Sequence, residues 1–342
     1  MNVWTKRIVV VVAASVAMGS ATAWGAGRPG SVPIIYTTDL YHPHDDPDDH
    51  FDLATLFAIP EFDIRAVVID TGERGKDRPG VLPVKQMMHI TGKTVPIATG
   101  LIANVKHQGD TATGRPAAAQ AAIELILKVL RESDKHVTIF TTGSLRDVAA
   151  AYNRQPDLLK RKVGRIYINV GHSAGGPEHN VNLDRHAYVR ILGSPLPVYW
   201  VPCFGGDGYL SHWHFRQGDV LDAAPLPVQN FFVYCLTRVK AEQRDPIKAL
   251  SEPIDPAVKA PIWAKKRNMW CTGAFLHAAG RSDPTFGFKK VTVHLDNAGK
   301  TRISRPGDGL QIMTFHHADP TAYAEAMTKA LHELLIGVGP SP

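Results

Sequence analysis

A short acidic segment is the part of this sequence best equipped for chemistry. Six aspartates fall within fourteen residues: Asp39, Asp45, Asp46, Asp48, Asp49 and Asp52. They lie between the predicted end of a buried strand and the predicted start of a helix. Carboxylates this close together repel one another, so a positive charge should hold them. The hard cations Ca²⁺ and Mg²⁺ prefer such oxygen ligands, and the segment therefore predicts a divalent-metal site.

Two other interpretations of the same segment are weighed against that one. His42, His44 and His50 flank the aspartates and make Zn²⁺ a second candidate, although no H-x₃-H spacing on a helix supports it. Alternatively, Asp48 and Asp49 could simply favour a helix N-terminus beside a solvated acidic loop. The number of carboxylates favours the metal site, because clustered oxygen ligands are typical of such sites.

The surrounding elements must bring these side chains together. A β-favouring apolar run predicts a strand over 34–36, helical apolar spacing predicts a helix over 51–59 that Pro60 stops, and a second strand is predicted over 64–69. The pattern continues with helices over 117–130, 145–152 and 158–162 and strands over 137–140, 165–170 and 198–202. This alternation predicts an α/β fold with a mostly parallel central sheet and helices on both faces, of Rossmann-like topology.

In such sheets ligands bind at the carboxyl ends of the strands. Four polar residues directly follow predicted strands: Asp39, Asp70, Thr142 and His172. We therefore expect the functional side chains to come from these positions and from the acidic segment.

The N-terminus predicts export. Lys6 and Arg7 precede an apolar run over 8–18 and then small residues, the pattern of a secretory signal peptide, assigned here to residues 1–26. The run is shorter than the ~20 residues that a membrane-spanning helix needs, which disfavours an anchor. The protein is accordingly expected in the periplasm or outside the cell. Residues 27–342 are predicted to form one α/β domain, in which the Pro-rich segment 225–261 is a cap or lid insertion.

The charge pattern narrows the class of partner. The net charge of +6 comes from scattered Lys and Arg, with no concentrated basic face of the kind that nucleic-acid binding requires. No later stretch is apolar enough to span a bilayer, so no membrane partner is expected after signal cleavage. Cys203, Cys235 and Cys271 form an odd set without a C-x-x-C pair, which leaves both a disulfide and free thiols open. Homo-oligomerisation is also left open.

Several segments together resemble the nucleoside hydrolase family, of the inosine/uridine-preferring type. That family has a strand, a D-x-D-x-G-x-D-D motif and a helix ending near P-E. Here D-D-H-F-D-L-A (48–54) runs on to P-E (60–61), Asp39 matches the second motif aspartate, and Thr37 replaces the first. T-G-S-L-R-D-V-A (142–149) is similar to the family's T-G-x-L-T-N-I-A turn, and E-H-N-V-N-L-D (178–184) to its E-F-N-x-x-x-D segment. The strand over 291–295, the segment 316–319 and a helix to 335 resemble its C-terminal end.

The resemblance implies a function and a set of roles. In the family, a calcium ion organises a ribose and an attacking water, and the N-glycosidic bond of a ribonucleoside is cleaved to ribose and free base. By motif, Asp39 would bind the metal and take a proton from the metal-bound water, with Asp49 and the Thr142 backbone carbonyl as further ligands. Asp48 would hold ribose hydroxyls, helped by Glu178 and Asn180. Water would attack directly, without a covalent enzyme intermediate.

This sequence departs from the family at a late His-Asp pair, whose best match is Asn268-Met269. A family asparagine after the second strand likewise falls at Glu73. Asp45, Asp46 or Asp52 is the candidate replacement for the lost metal ligand. His172, His179 or His212 is the candidate to protonate the leaving group.

Because of these departures, two alternatives accompany the nucleosidase hypothesis. One is a hydrolase acting on a sugar substrate other than a nucleoside, and the other is a non-catalytic metal- and ribose-binding protein. Trp270, Trp213 and His179 facing the metal would favour a substrate that carries a nucleobase.

Overall fold

The computed structural model describes residues 30–42, 47–237, 245–281 and 283–339. The predicted signal peptide, Asp45 and Asp46 lie outside these residues. The strands, in chain order, are β1 (Val32–Thr38), β2 (Phe62–Ile69), β3 (Ile97–Thr99), β4 (Val137–Thr141), β5 (Val163–Ile168), β6 (Val198–Trp200), β7 (Trp213–Arg216), β8 (Lys266–Met269), β9 (Phe286–Leu295), β10 (Thr301–Ser304) and β11 (Leu310–His317). The α-helices are α1 (Pro47–Ala58), α2 (Gly72–Gly75), α3 (Val81–Thr91), α4 (Ala121–Glu132), α5 (Arg146–Arg154), α6 (Pro156–Lys162), α7 (His179–Leu183), α8 (Arg185–Leu192), α9 (Gln217–Leu221), α10 (Leu226–Leu236), α11 (Pro256–Trp263), α12 (Thr272–Ala278) and α13 (Pro320–Ile336).

Within the described residues, nine strands form one sheet in the order β10-β9-β11-β6-β5-β4-β1-β2-β3. From β11 to β3 every neighbouring pair is parallel, and β9 and β10 extend the sheet with antiparallel pairs. The strands β7 and β8 form a separate antiparallel pair. The predicted fold class is confirmed.

The sheet separates two hydrophobic cores. Side chains alternate across a strand, so Ile34 and Tyr36 of β1 enter one core and Ile35 enters the other. The first core includes buried residues of α1, α3, α10, α12 and α13, and the second those of α4, α5, α6 and α8. One predicted helix begins later than expected, because residues 117–120 form a 3₁₀ turn that precedes α4.

Helix α1 brings the acidic segment into the protein. It starts at Pro47, which suits a first helical position because proline lacks an N–H, and it ends two residues before Pro60. Nearly the whole helix is buried, including Asp49 and Asp52, which are 4% and 1% exposed. These aspartates therefore do not belong to a solvated acidic loop.

The segment predicted as a cap contributes to the main core. Phe231 and Phe232 of α10 are fully buried, and Phe232 stacks on Phe51 of α1 with 4.1 Å between ring centroids. The helix therefore belongs to the domain's interior, and the cap or lid insertion predicted over 225–261 stays a prediction. In the described part of the chain, no helix is both long and apolar enough to span a membrane. All three cysteines are free and buried.

Candidate active site

The candidate site lies where the direction of strand addition reverses. From β1 the chain adds β2 and β3 on one side, then β4, β5 and β6 on the other. Such a reversal opens a crevice at the carboxyl ends of the strands. Asp39 directly follows β1 and Thr142 directly follows β4, so the two face each other across it. A Cβ at Gly143 would come within 2.8 Å of the Asp39 Cβ, so the two loops can approach this closely because Gly143 has no side chain.

A cavity of about 210 Å³ occupies this crevice. Eight of the predicted site residues line it: Asp39, Asp48, Asp49, Asp52, Thr142, Glu178, His179 and Asn180. His172 does not line it. That side chain faces a neighbouring cavity, where its Nδ1 accepts a hydrogen bond from the Ala174 N–H at 3.1 Å. Exposed Glu73 forms an ion pair with Lys76 at 3.1 Å and also lies outside the cavity lining.

Sequence reasoning missed four lining residues: Asn169, Cys203, Phe204 and Cys271. Asn169 is the first residue after β5, the position that Asp39 holds after β1, so the same rule could have identified it. Its side-chain amide donates to the Thr141 carbonyl at 3.2 Å, and its Oδ1 accepts no hydrogen bond from the described part of the chain. Asn169 therefore offers a free acceptor to a ligand in the cavity.

An aromatic pair forms one wall of the cavity. Phe204 and Trp270 meet edge to face with 5.8 Å between ring centroids, and His212 lies 5.5 Å from Trp270 without lining the cavity. Of the three side chains whose position would favour a nucleobase substrate, Trp270 and His179 line the cavity and Trp213 does not. Trp213 is buried in the core and stacks on Phe215 at 5.1 Å.

The residues matched to the family's late pair also lie elsewhere. Asn268 is exposed on β8 and Met269 is buried in the core, and neither lines the cavity. The chain enters the cavity one and two residues later, with Trp270 and Cys271. This part of the site is therefore aromatic and thiol in character, and it carries no carboxylate of its own.

The residues predicted to hold ribose are tied to the strand-end loops. The Glu178 carboxylate caps α7 by accepting from the N–H groups of Asn180 and Val181, each at 2.9 Å, and it also accepts from the Gly171 N–H at 3.0 Å. A carboxylate offers about four acceptor sites, which leaves one for a hydroxyl group. The Asn180 side-chain amide donates to the Thr142 carbonyl at 3.2 Å, so the predicted ribose and metal residues are directly linked.

The cavity concentrates negative charge. It is lined by five carboxyl groups and, among its described lining residues, by no Lys or Arg. Burial, with the nearby charge of Asp70, raises the pKa of Asp39 to about 7, although a side-chain hydrogen bond with Asp49 opposes the shift. Burial likewise raises the pKa of Asp52, to which the Cys271 thiol is hydrogen bonded. A divalent cation would relieve this accumulation of acids.

The donors available fit a hard cation. In the described residues, no group of three or more His, Cys, Asp or Glu side chains is arranged to hold a metal ion. The predicted set differs from such a group, because one of its oxygens is the Thr142 backbone carbonyl beside Asp39 and Asp49. Burial raises the pKa of Cys203 and of Cys271, so both thiols are protonated and poor zinc ligands. Oxygen donors therefore favour Ca²⁺ or Mg²⁺ over Zn²⁺.

A buried acid behind the cavity predicts how stability depends on pH. Asp147 is 3% exposed, its Oδ1 accepts from the Leu101 N–H at 3.0 Å, and burial, with the charge of Asp70, raises its pKa from 3.8 to about 7. Between pH 3.8 and about pH 7, Asp147 keeps its proton in the folded protein but has lost it in the unfolded chain. The free energy of unfolding that protonated Asp147 contributes is therefore lost as the pH rises towards 7. Asp147→Asn should remove that loss. Its free energy of unfolding, relative to that of the wild type, should therefore rise by on the order of 2–3 kcal/mol as the pH increases from about 5 to about 8.

Urea unfolding of both proteins across this pH range measures the difference. Asp308→Asn, at an exposed aspartate, is the matched control and should follow the wild type. Identical pH profiles for the Asp147→Asn variant and the wild type would show that Asp147 is ionised throughout.

Comparisons with known proteins address the fold and the family. The family model for inosine-uridine preferring nucleoside hydrolases matches residues 34–269. The pyrimidine-specific ribonucleoside hydrolase RihA of Enterobacter sp. (strain 638) is 31% identical over 191 residues, which cover 49% of this chain and 58% of that protein. The RihA protein of Citrobacter koseri is 29% identical over 191 residues, covering 49% and 59%. The match thus spans under two thirds of these relatives.

Solved structures show the same fold at low identity. A plant nucleoside hydrolase, PpNRh1, has a TM-score of 0.61 at 16% identity and covers 90% of this chain and 99% of its own. A purine-preferring ribonucleoside hydrolase from Gardnerella vaginalis has a TM-score of 0.55 at 16% identity, covering 89% and 99%. The type III effector XopQ, solved with adenosine diphosphate ribose, has a TM-score of 0.52 at 15% identity, covering 91% and 94%.

Proposed function

The chain belongs to the inosine-uridine preferring nucleoside hydrolase family, and from that premise we propose that it hydrolyses the N-glycosidic bond of ribonucleosides in a calcium-dependent reaction. One observation carries the proposal. A single cavity joins the acids Asp39, Asp48 and Asp49 to the aromatic pair Phe204 and Trp270. The acids suit a metal and a sugar, and the aromatic rings suit the flat face of a nucleobase.

Each group has a task in this proposal. Asp39, Asp49 and the Thr142 carbonyl would hold the cation, whose charge would lower the pKa of a water in the cavity. Asp48, Glu178, Asn180 and Asn169 line the same cavity and would supply acceptors and donors for the ribose hydroxyls. Such hydrogen bonds to sugar hydroxyls strengthen as the ring becomes oxocarbenium-like, so they lower the barrier as well as bind the substrate.

The bonds and protons balance without a covalent enzyme intermediate. Asp39 accepts a proton as the water oxygen bonds to the anomeric carbon of the ribose. The bond from that carbon to the base nitrogen breaks, and its electron pair leaves with the base. Of the three histidines considered for protonating the base, only His179 lines the cavity, so we assign that step to His179.

The mature protein is expected to release ribose from inosine or uridine in the presence of Ca²⁺ and to lose this activity on chelation. A reducing-sugar assay on inosine, uridine, adenosine and a p-nitrophenyl riboside measures the release. Restoration by Ca²⁺ but not by Zn²⁺ would support the oxygen-donor site. Turnover of the p-nitrophenyl riboside alone would favour a sugar substrate without a nucleobase. No turnover, with Ca²⁺ still raising the melting temperature, would favour a metal- and ribose-binding protein.

His179→Gln separates leaving-group protonation from the other steps. A nucleobase needs a proton to leave, whereas p-nitrophenolate leaves without one. The variant should therefore lose about 10²-fold in kcat on inosine, the lower end of what general acids contribute, and little on the p-nitrophenyl riboside. His172→Gln, in the neighbouring cavity, is the control. Equal losses on both substrates would refute the assignment to His179.

A further inference from the structure

A buried guanidinium behind the cavity contacts four different loops. Arg146, at the first position of α5, is 2% exposed. Its Nε donates to Ser144 Oγ at 2.7 Å and lies 3.2 Å from Asp70 Oδ1, its Nη1 donates to the Ile102 carbonyl at 3.1 Å, and its Nη2 donates to the Leu183 carbonyl at 3.3 Å. Ser144 follows β4, Asp70 follows β2, Ile102 follows β3, and Leu183 is the last residue of α7. One side chain thus joins the loops after β2 and β3 to the two segments that line the cavity, the loop after β4 and α7.

Two of these contacts act on the loop that carries the proposed metal-binding carbonyl. Asp70 Oδ2 accepts from the Ser144 N–H at 2.7 Å, while Arg146 donates to the hydroxyl of the same serine. Ser144 is therefore held from both its backbone and its side chain. Thr142 is only two residues earlier, so this pair of contacts restrains the loop that carries the Thr142 carbonyl.

A third contact acts on the ribose side. Leu183 is the last residue of α7, and the first turn of the same short helix carries His179 and Asn180. Asn180 reaches back to the Thr142 carbonyl. The guanidinium therefore contacts both the loop after β4 and α7, which supply Thr142, His179 and Asn180 to the cavity lining.

A purely structural purpose does not explain a buried ion pair well. Burying charges costs solvation free energy, and apolar residues of similar size are often as stable. What the guanidinium adds is a rigid planar fork of donors that can satisfy acceptors in several directions, which a lysine cannot match. The chain has Arg146-Asp147 where the T-G-x-L-T-N-I-A turn of the family has Thr-Asn, so this fork is a feature of the present sequence.

We propose that Arg146, through Asp70 and Ser144, is a positioning residue for the hydrolytic site, holding the Thr142 loop and α7 in register. It touches neither the substrate nor the metal. The inference rests on the proposed function. Displacing reacting groups by about 1 Å can cost about 10²-fold in rate. Arg146→Lys, which keeps the charge but loses the fork, should therefore lose about 10- to 100-fold in kcat/KM.

The matched control is another arginine of the same helix. Arg154 also anchors loops, donating to the Thr111 carbonyl, Glu124 and Gln120, each at 2.7 Å, but it does not line the cavity or contact its loops. Arg154→Lys should lose melting temperature only and keep kcat/KM. Ser144→Ala, which removes one acceptor of the guanidinium, should fold even where an Arg146 variant does not, and should lose kcat/KM in the same direction by a smaller factor.

The experiment measures kcat, KM, melting temperature and ribose affinity by calorimetry for these variants. Losses of kcat/KM in Arg146→Lys and Ser144→Ala, with Arg154→Lys unaffected, support the inference. Wild-type kcat/KM in both variants at a lowered melting temperature would overturn it. If the wild type cleaves no nucleoside, the proposed function fails, and ribose affinity decides: a weaker affinity in the variants supports positioning, and an unchanged or absent affinity overturns it.

Discussion

Replacing Asp39 with Asn should reduce kcat for nucleoside hydrolysis by about 10³-fold, within the range that positioned general bases contribute. Asparagine has nearly the same shape and keeps an oxygen that can coordinate a cation, but it cannot take a proton from water. Asp39 is buried beside Asp49 and opposite Thr142, where an attacking water would meet it. Calcium binding should weaken far less than the rate.

Calorimetric calcium titration alongside steady-state kinetics separates these two effects. Asp49→Ala is the matched comparison, because Asp49 is proposed to bind the cation without accepting the proton. It should lose calcium affinity and activity together, and high Ca²⁺ should restore part of its rate. Asp39→Asn should not recover at any Ca²⁺ concentration. A fully active Asp39→Asn variant would remove Asp39 from the role of base.

Replacing Asp52 with Asn should weaken calcium binding by at least about tenfold, the lower end of what loss of a metal-supporting group costs. Asp52 lines the cavity one turn after Asp48 and Asp49 and is 1% exposed. Its Oδ1 accepts no hydrogen bond from the described residues, so a buried carboxylate oxygen lacks a donor. We propose that a cation supplies the missing positive charge. Asp52 would then replace the oxygen that the family draws from its late aspartate.

A swap variant tests this assignment directly. The Cys271 thiol is hydrogen bonded to Asp52, so the two side chains are neighbours. The double variant Asp52→Asn/Cys271→Asp returns one carboxylate to almost the same place and should regain calcium affinity that Asp52→Asn alone has lost. The melting temperature without calcium controls for folding and should not fall in Asp52→Asn, because burial penalises the charged form of Asp52. Unchanged calcium affinity in Asp52→Asn would exclude it as a ligand.

Much of the fold could be read from the sequence because it depends on local patterns. Alternating helical spacing and short apolar runs predicted the parallel sheet, and the helix stop at Pro60 ended α1 close to its observed end. The acidic cluster was also evident from residue type, although the helix predicted over 51–59 begins at Pro47 and therefore carries Asp48 and Asp49 as well as Asp52. The strand-end rule placed Asp39 and Thr142 together before the strand order was known.

The remaining site residues depended on which strands are neighbours. Asn169, Cys203 and Phe204 reach the cavity because β5 lies next to β4 in the sheet and β6 lies next to β5. No short-range pattern specifies that order. His172 follows the same strand as Asn169, yet a turn of the chain directs it to another cavity. The strand-end rule therefore predicts an edge of the sheet but not which side chain enters the crevice.

For the acidic residues as well, the sequence determined one property and the tertiary structure another. Residue type and spacing determined that carboxylates gather at one helix start, because that depends only on neighbours along the chain. Burial and pairing decided what each carboxylate does: Asp39 faces the cavity, while Asp70 turns behind it to Arg146, seventy-six residues away in sequence. The free energy of a buried charge depends on all the atoms that replace water around it, and those atoms come together only in the folded protein.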